Sequence, residues 1–393
     1  MKNQDPSQEH LQSIISLYNA GKLQQALSEA TQMMERFPNS FILYNISGAS
    51  NAALKRFDAA IVSYKQALRI KPDYAEVHNN MGSALSDKGD FEGAIESYKQ
   101  ALRIKPDYAG AYYNMGSVMK DKGDFEGAIK SYKQALRIKP DYAGAYNNMG
   151  NALSSKGDLE EAIESYKQAL RIKPDFAGAY NNMANAMKNK GDLAEAIESC
   201  KQALKIKPDY ADAYYNMANA MKDKGDLAEA IDSYKQALKI KPNYASAYYN
   251  MGNALNEKGN PEVAIDSFKQ AIKIKPDYEL AYNNMGNALS SKGDLEGAID
   301  CYNQAIRIKP DYAEGHCNLG AVLQLLNQSE PALASYEKAI SLKKDFNEAI
   351  SGLGLLLLNK GKHSEGLDKL IQGEGSILFS IEKGFSVKSG GKE

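Results

Sequence analysis

The chain has 393 residues, a length that would ordinarily make two or three globular domains, with 43% hydrophobic and 25% charged residues. Lys and Arg number 48 against 49 Asp and Glu, so no whole-protein basic field draws it to nucleic acid or a membrane surface. Three cysteines, Cys200, Cys301 and Cys317, are odd in number and without paired spacing, which fits a reducing compartment and not a disulfide framework.

In chain order, residues 1–6 read as a polar tail. The opening MKNQDPSQEH lacks the basic start and apolar core of a secretory signal, and no apolar run is long enough to cross a bilayer. A cytoplasmic location without membrane insertion is therefore expected. Residues 7–40 keep Gly21, Ala26 and Pro38 but place Ile14 and Ala30 where later copies have a small residue and a tyrosine, which predicts a degenerate capping unit.

From 41 to 346 the chain repeats every 34 residues, superimposing Pro38, Pro72, Pro106, Pro140, Pro174, Pro208, Pro242, Pro276 and Pro310. Ala211 to Tyr244 shows the unit clearly. One helix is expected from Ala211, capped by Asp209, to the Lys224-Gly225-Asp226 break, where glycine takes the left-handed cap conformation. Asp226 starts a second helix and, with Glu229, spells a D-x-x-E capping box. Small residues Ala218, Ala230 and Ala237 allow close helix approach, while Tyr214, Met217 and Tyr234 fill the space between. Two such helices cannot bury their apolar stripes alone, so neighbouring units must stack. The unit from Ala313 drifts, with Asn327 for the turn glycine and Lys344 for the tenth proline.

Residues 347–373 read as a degenerate last repeat or cap. In 374–393 two apolar runs, Ile377 to Ile381 and Phe385 to Val387, flank Glu382-Lys383-Gly384. A short hairpin and an unstructured tail both remain open there.

Nothing in the chain spells a catalytic set. There is no glycine-rich phosphate loop, nucleophile elbow or H-E-x-x-H, and the recurring carboxylates fit caps and exposed helix faces. His10, His78, His316 and His363 are scattered. His316, Cys317 and Cys301 fall on adjacent predicted helices without a fourth ligand, so neither a metal site nor a cofactor is expected. The expectation is a chain that is not an enzyme.

What recurs instead is a surface. Opposite the apolar side of each first helix runs an asparagine row: Asn80, Asn114, Asn148, Asn182, Asn216, Asn250, Asn284 and Asn318. A second row, Asn151, Asn185, Asn219, Asn253 and Asn287, lies one helical turn on, with Tyr113, Tyr215 and Tyr249 on the same side. Carboxamides offer donors and acceptors, so such a ladder could hold the main chain of an extended peptide, with the tyrosines adding aromatic contact. The same amides could equally bridge neighbouring helices.

The spacing of Tyr214, Met217, Ala218, Met221, Ala230, Tyr234, Ala237 and Pro242 resembles the tetratricopeptide repeat, with Tyr for the family's usual Trp at the first position. The resemblance implies an all-α, right-handed superhelical solenoid of antiparallel helix pairs, about ten or eleven units, with ligands on the concave face of first helices. The phrases NNMGNAL and KPDYA are most similar to the repeat half of O-linked N-acetylglucosamine transferase and Spindly-type proteins. There the array presents protein substrates to a separate glycosyltransferase domain, which residues 374–393 are too short to supply. The expected function is a scaffold or adaptor binding an extended protein or peptide partner. The alternative is the substrate-recognition part of such a modifying enzyme, with catalysis supplied elsewhere. Self-association through the array ends is a third reading.

Overall fold

A computed structural model describes residues 5–380 and 384–389. It divides into two units, Met1–Ile206 and Lys207–Glu393. The first holds α1 (Gln8–Asn19), α2 (Leu23–Arg36), α3 (Phe41–Ala53), α4 (Phe57–Ile70), α5 (Ala75–Lys88), α6 (Phe91–Ile104), α7 (Ala109–Asp121), α8 (Phe125–Ile138), α9 (Ala143–Lys156), α10 (Leu159–Ile172), α11 (Ala177–Lys190) and α12 (Leu193–Ile206). The second holds α13 (Ala211–Lys224), α14 (Leu227–Ile240), α15 (Ala245–Glu257), α16 (Pro261–Ile274), α17 (Glu279–Ser291), α18 (Leu295–Ile308), α19 (Ala313–Leu325), α20 (Ser329–Leu342), α21 (Asn347–Asn359) and α22 (His363–Glu374). Strands β1 (Gly375–Ser380) and β2 (Gly384–Ser389) follow and pair antiparallel, Phe379 opposite Phe385. Ile381, Glu382 and Lys383, part of the hairpin reading, lie outside the described residues.

Each odd-numbered helix packs antiparallel on its successor, and the pair packs on the next pair in the same unit. Alternate first helices also touch, α5 with α7 and α7 with α9, α15 with α17 and α17 with α19. Among the described residues no two second helices do. Within each unit the stack therefore bends toward its first helices, which form the inner face.

The core repeats a ring-on-glycine contact. Tyr98, Tyr132 and Tyr166 in one unit and Tyr302 in the other are almost fully buried, and each ring lies on a glycine of the preceding helix. A Cβ built on Gly150 would stand 2.6 Å from Tyr166 Cε1. Three repeats vary the theme. Cys200 takes the ring's position with Ala184 in the glycine's, Tyr234 packs with Ala218 in the glycine's, and Phe268 lies on Gly252.

The turn between paired helices needs positive φ. Gly225 supplies it at φ +93°, whereas Lys55 and Asn327 hold φ +59° at the equivalent turns. A side chain in that region costs about 1–2 kcal/mol, and glycine's looser unfolded chain returns part of the difference. Lys55→Gly is accordingly expected to raise stability by about 0.5–1 kcal/mol in urea titration, measured on the whole chain.

Capping departs from expectation. Asp209 does not cap α13, whose N-cap is Tyr210 with no side-chain bond. Asp226 precedes α14 but makes no cap bond either, and instead accepts from Lys224 Nζ at 2.7 Å. Asp90, Asp124 and Asp294 do cap, accepting from the backbone N–H of Gly93, Gly127 and Gly297. The difference lies at the third helical residue. A Cβ on Gly93 would be 2.6 Å from Asp90 Oδ2, so a glycine there leaves room for the inward carboxylate. Where glutamate follows, as at Glu161, Glu195 and Glu229, the aspartate turns to a lysine two residues back.

Candidate functional site

The inner faces carry both asparagine rows, half-buried except for exposed Asn185 and Asn287. Seven of the eight first-row amides reach back 35 residues to the preceding first helix of their own unit. Asn80 Nδ2 donates to Asn45 Oδ1 (3.5 Å), Asn114 to Asn79 Oδ1 (3.1 Å), Asn148 to the Tyr113 hydroxyl (2.9 Å) and Asn182 to Asn147 Oδ1 (3.1 Å). In the second unit Asn250 donates to the Tyr215 hydroxyl (3.0 Å), Asn284 to that of Tyr249 (3.1 Å) and Asn318 to Asn283 Oδ1 (3.0 Å). Asn216 is engaged as well.

Four of the five second-row asparagines are held by their oxygens. The buried hydroxyls of Tyr166, Tyr234 and Tyr302 donate to Oδ1 of Asn151 (2.8 Å), Asn219 (2.6 Å) and Asn287 (2.8 Å). Asn250, Asn284 and Asn318 add a second bond to Oδ1 of Asn219, Asn253 and Asn287 at 2.8–3.2 Å. Asn185 and Asn253 lack the tyrosine hydroxyl because Cys200 and Phe268 replace it.

The outcome is a fixed polarity. Seven first-row asparagines spend an N–H on the stack, which directs Oδ1 away from that bond. Asn151, Asn219, Asn253 and Asn287 spend Oδ1, which directs the amide nitrogen away. Asn148 and Asn284 further accept from Asn147 and Asn283, both at 3.1 Å, and a carbonyl oxygen retains a second lone pair after one such bond.

The three tyrosines are wedged between repeats. Tyr113 stacks on Tyr142 with centroids 4.8 Å apart, while Tyr215 and Tyr249 pack tilted against Tyr244 at 4.8 Å and Tyr278 at 5.0 Å. Lys139, Lys241 and Lys275 cover the outer rings of these pairs at 4.1–5.1 Å. Burial pushes the Tyr278 phenol up to about 12. Sequence reasoning missed Asn79, Asn147 and Asn283, each at most 8% exposed, which occupy the tyrosines' helical position and receive the next repeat's asparagine. Its signal was available: in the repeats from 75 to 312 that position holds only Asn or Tyr.

Charge on the inner face is locally neutralised. Lys120 lies 3.0 Å from Asp121, and Lys222 3.2 Å from Asp223. A polar recess of about 400 Å³ opens in the first unit, where Lys120, Asn151, Asn182 and Asn185 meet. Another, about 310 Å³, lies between α1 and α2 at His10, Glu29 and Arg36, away from both rows.

Among the described residues no three His, Cys, Asp or Glu side chains come together to hold a metal. The three thiols are free and buried, and burial pushes Cys200 up to about 12 and Cys301 and Cys317 up to about 11, out of the thiolate range. His78 and His316 turn Nε2 to the carbonyls of Pro72 and Pro310 at 3.0 and 3.2 Å. No described helix is long and apolar enough to cross a membrane.

An all-helical stack of pairs at a 34-residue period defines a helix-pair solenoid. The family model described as TPR repeat matches residues 51–89, 82–123, 116–157, 150–191, 188–225, 218–259, 252–293 and 286–327, and the tetratricopeptide repeat model matches 313–346. The chain belongs to the tetratricopeptide-repeat family. No curated protein matches it. Among solved structures it is similar to MamA, 32% identical over 41% of this chain and 94% of that one, with a TM-score of 0.39. It is also similar to YrrB, described as a TPR protein with an unusual peptide-binding site, 24% identical over 48% and 96%, TM-score 0.40. Yeast Tom70 is 16% identical over 93% and 91%, TM-score 0.47.

Proposed function

We propose that this chain is a non-catalytic protein-interaction scaffold whose inner faces each hold an extended segment of a protein partner. The observation that carries the reading is the polarity of the two rows: a repeat with both asparagines turns one amide acceptor and one amide donor off the stack. An extended main chain presents the complementary groups, N–H and C=O, and many modest bonds of about 0.5–1.5 kcal/mol each supply the affinity. Neutralised charge on the face favours recognition of main chain over a charged terminus. A cytoplasmic location belongs to the same proposal.

The test exploits that polarity. Asp in place of Asn151, Asn185, Asn219, Asn253 and Asn287 keeps the oxygen that Tyr166, Tyr234 and Tyr302 need, deletes the amide donor and adds charge opposed to a carbonyl. Peptides selected on the wild-type chain from a displayed random library are expected to bind the variant at least about tenfold more weakly, while its helical circular dichroism is retained. Equal binding of those peptides to both proteins sinks the reading.

The alternative, a substrate-recognition array serving a glycosyltransferase-type catalytic chain, rests on the NNMGNAL and KPDYA phrases. Its sign would be sugar transfer to a selected peptide in native lysate supplied with a sugar-nucleotide donor, and lost with the five-Asp variant. Self-association is proposed for exposed ends, since an uncovered solenoid face resembles its own missing neighbour. Truncation after Phe346 removes α21 and α22 with buried Ile350, Leu353, Leu356 and Leu357. The expected result is a larger mass by light scattering, and an unchanged monomer would count against it.

A further inference from the structure

We propose that the outer face of α8, together with Lys156 of α9, is a docking site for an acidic polypeptide segment. It lies on a second helix, and its test is independent of inner-face binding.

Helices α6 and α8 have the same fourteen residues but one: FEGAIESYKQALRI against FEGAIKSYKQALRI, with Glu96 replaced by Lys130. That position is acidic in six other second helices, as Glu164, Glu198, Asp232, Asp266, Asp300 and Asp368, and uncharged in α2 (Ser28), α4 (Val62) and α20 (Ala334). The acid has a local task. Glu96, Glu164 and Glu198 each accept from a glutamine one turn on at 2.6–2.7 Å, and Asp232 pairs with Lys235 at 3.2 Å. It thereby offsets the two cations that follow on the same helix.

In α8 that offset is absent. Lys130, Lys133 and Arg137 recur at intervals of three and four residues, are all exposed, and make no ion pair among the described residues. They span about 10 Å of one helix face. Beside them is a recess of about 340 Å³, with Ile129 and Gln134 in its lining, Lys130 and Lys133 on one side and Lys156 on the other. The single carboxylate there, Glu126, already faces Lys156 at 3.6 Å, and Lys156 also holds Asp158 at 3.2 Å.

Carboxylates on an extended chain or a helix match cations at this spacing. Nucleic acid fits less well. No aromatic side chain lines the recess to stack a base, and the whole chain carries a net charge of −1.

The experiment uses substitutions already present elsewhere in the chain. Lys130→Glu turns α8 into a copy of α6, and Glu96→Lys turns α6 into a copy of α8, so both proteins are expected to fold and melt like the wild type. A fluorescein-labelled decapeptide of alternating Glu and Gly, followed by anisotropy at low ionic strength, is expected to bind the full chain and to bind Lys130→Glu at least about fivefold more weakly. Raising salt to about 0.15 M should weaken the wild-type complex. Glu96→Lys should take up a second peptide. Equal affinity of wild type and Lys130→Glu, or no gain with Glu96→Lys, overturns the proposal. An oligothymidine of the same charge that binds as tightly and is lost equally in Lys130→Glu overturns the polypeptide assignment.

Discussion

Tyr166→Ala is expected to cost about 3–5 kcal/mol, the range for emptying a large aromatic from a packed core. The ring is 1% exposed and lies on Gly150 so closely that a Cβ there would be 2.6 Å away. Its loss empties the space between α9 and α10 and also removes the hydroxyl donor to Asn151 Oδ1. Tyr166→Phe should cost only about 1 kcal/mol, one hydrogen bond, because Phe268 fills the same place in its own repeat. Urea unfolding measures the totals. Hydrogen exchange should place the loosening in residues 143–172 and its immediate neighbours, since a solenoid's stability is shared between adjacent repeats. A Tyr166→Ala loss below about 1 kcal/mol would mean the ring does not bear the contact.

The chain itself contains a compensated version of that change. Cys200 is 0% exposed where a tyrosine stands in other copies, and Ala184 adds a methyl where most copies have glycine. Ser199 there bonds the Tyr180 carbonyl of the first helix at 2.9 Å, whereas Ser165 bonds Glu161 within its own helix. The alanine is shared with the next repeat, where Ala218 packs with buried Tyr234, but the Ser199 bond across to the first helix accompanies the smaller core residue, and Tyr166→Ala supplies no such bond.

Asn250→Ala is the second large effect, expected to cost about 1–3 kcal/mol, the penalty for leaving polar partners unsatisfied. Its Nδ2 serves both the Tyr215 hydroxyl and Asn219 Oδ1, so one substitution removes two bonds; the Tyr215 hydroxyl loses its donor, while Asn219 Oδ1 keeps the Tyr234 hydroxyl. Asn114→Ala removes one bond, to Asn79, and should cost less. In the background of Asn250→Ala, a following Tyr215→Phe should cost little, because the hydroxyl has already lost its donor. Thermal melts of the four proteins check the cycle. Additive losses would show that Asn250 and Tyr215 act separately. First-row alanines therefore disturb folding before they disturb binding, which is why the binding test uses second-row aspartates.

Much of the architecture was legible in residue spacing. The break at Lys224-Gly225-Asp226 marks the end of α13 because only a residue tolerant of positive φ lets the chain reverse there, and the Gly150–Tyr166 size pairing follows from two helices that must approach closely. Less of the candidate site could be read. The rows were visible as a periodicity, but whether Asn148 faces a ligand or a neighbouring repeat depends on Tyr113, 35 residues earlier. The capping box at Asp226 failed because Glu229 stands where Gly93 leaves room for the Asp90 carboxylate, and Asp226 pairs with Lys224 instead.

Local chemistry thus determined the period, the helices, the turns and the inward pattern of large and small residues, because each depends on φ, ψ and side-chain size within one unit. Tertiary structure decided the orientation of the bonded amides in the rows, the partial burial of Tyr113, Tyr215 and Tyr249, and the recess between Lys130 and Lys156. Those features need partners from adjacent repeats, and a hydrogen bond or an ion pair takes its direction only when the stack brings both ends together.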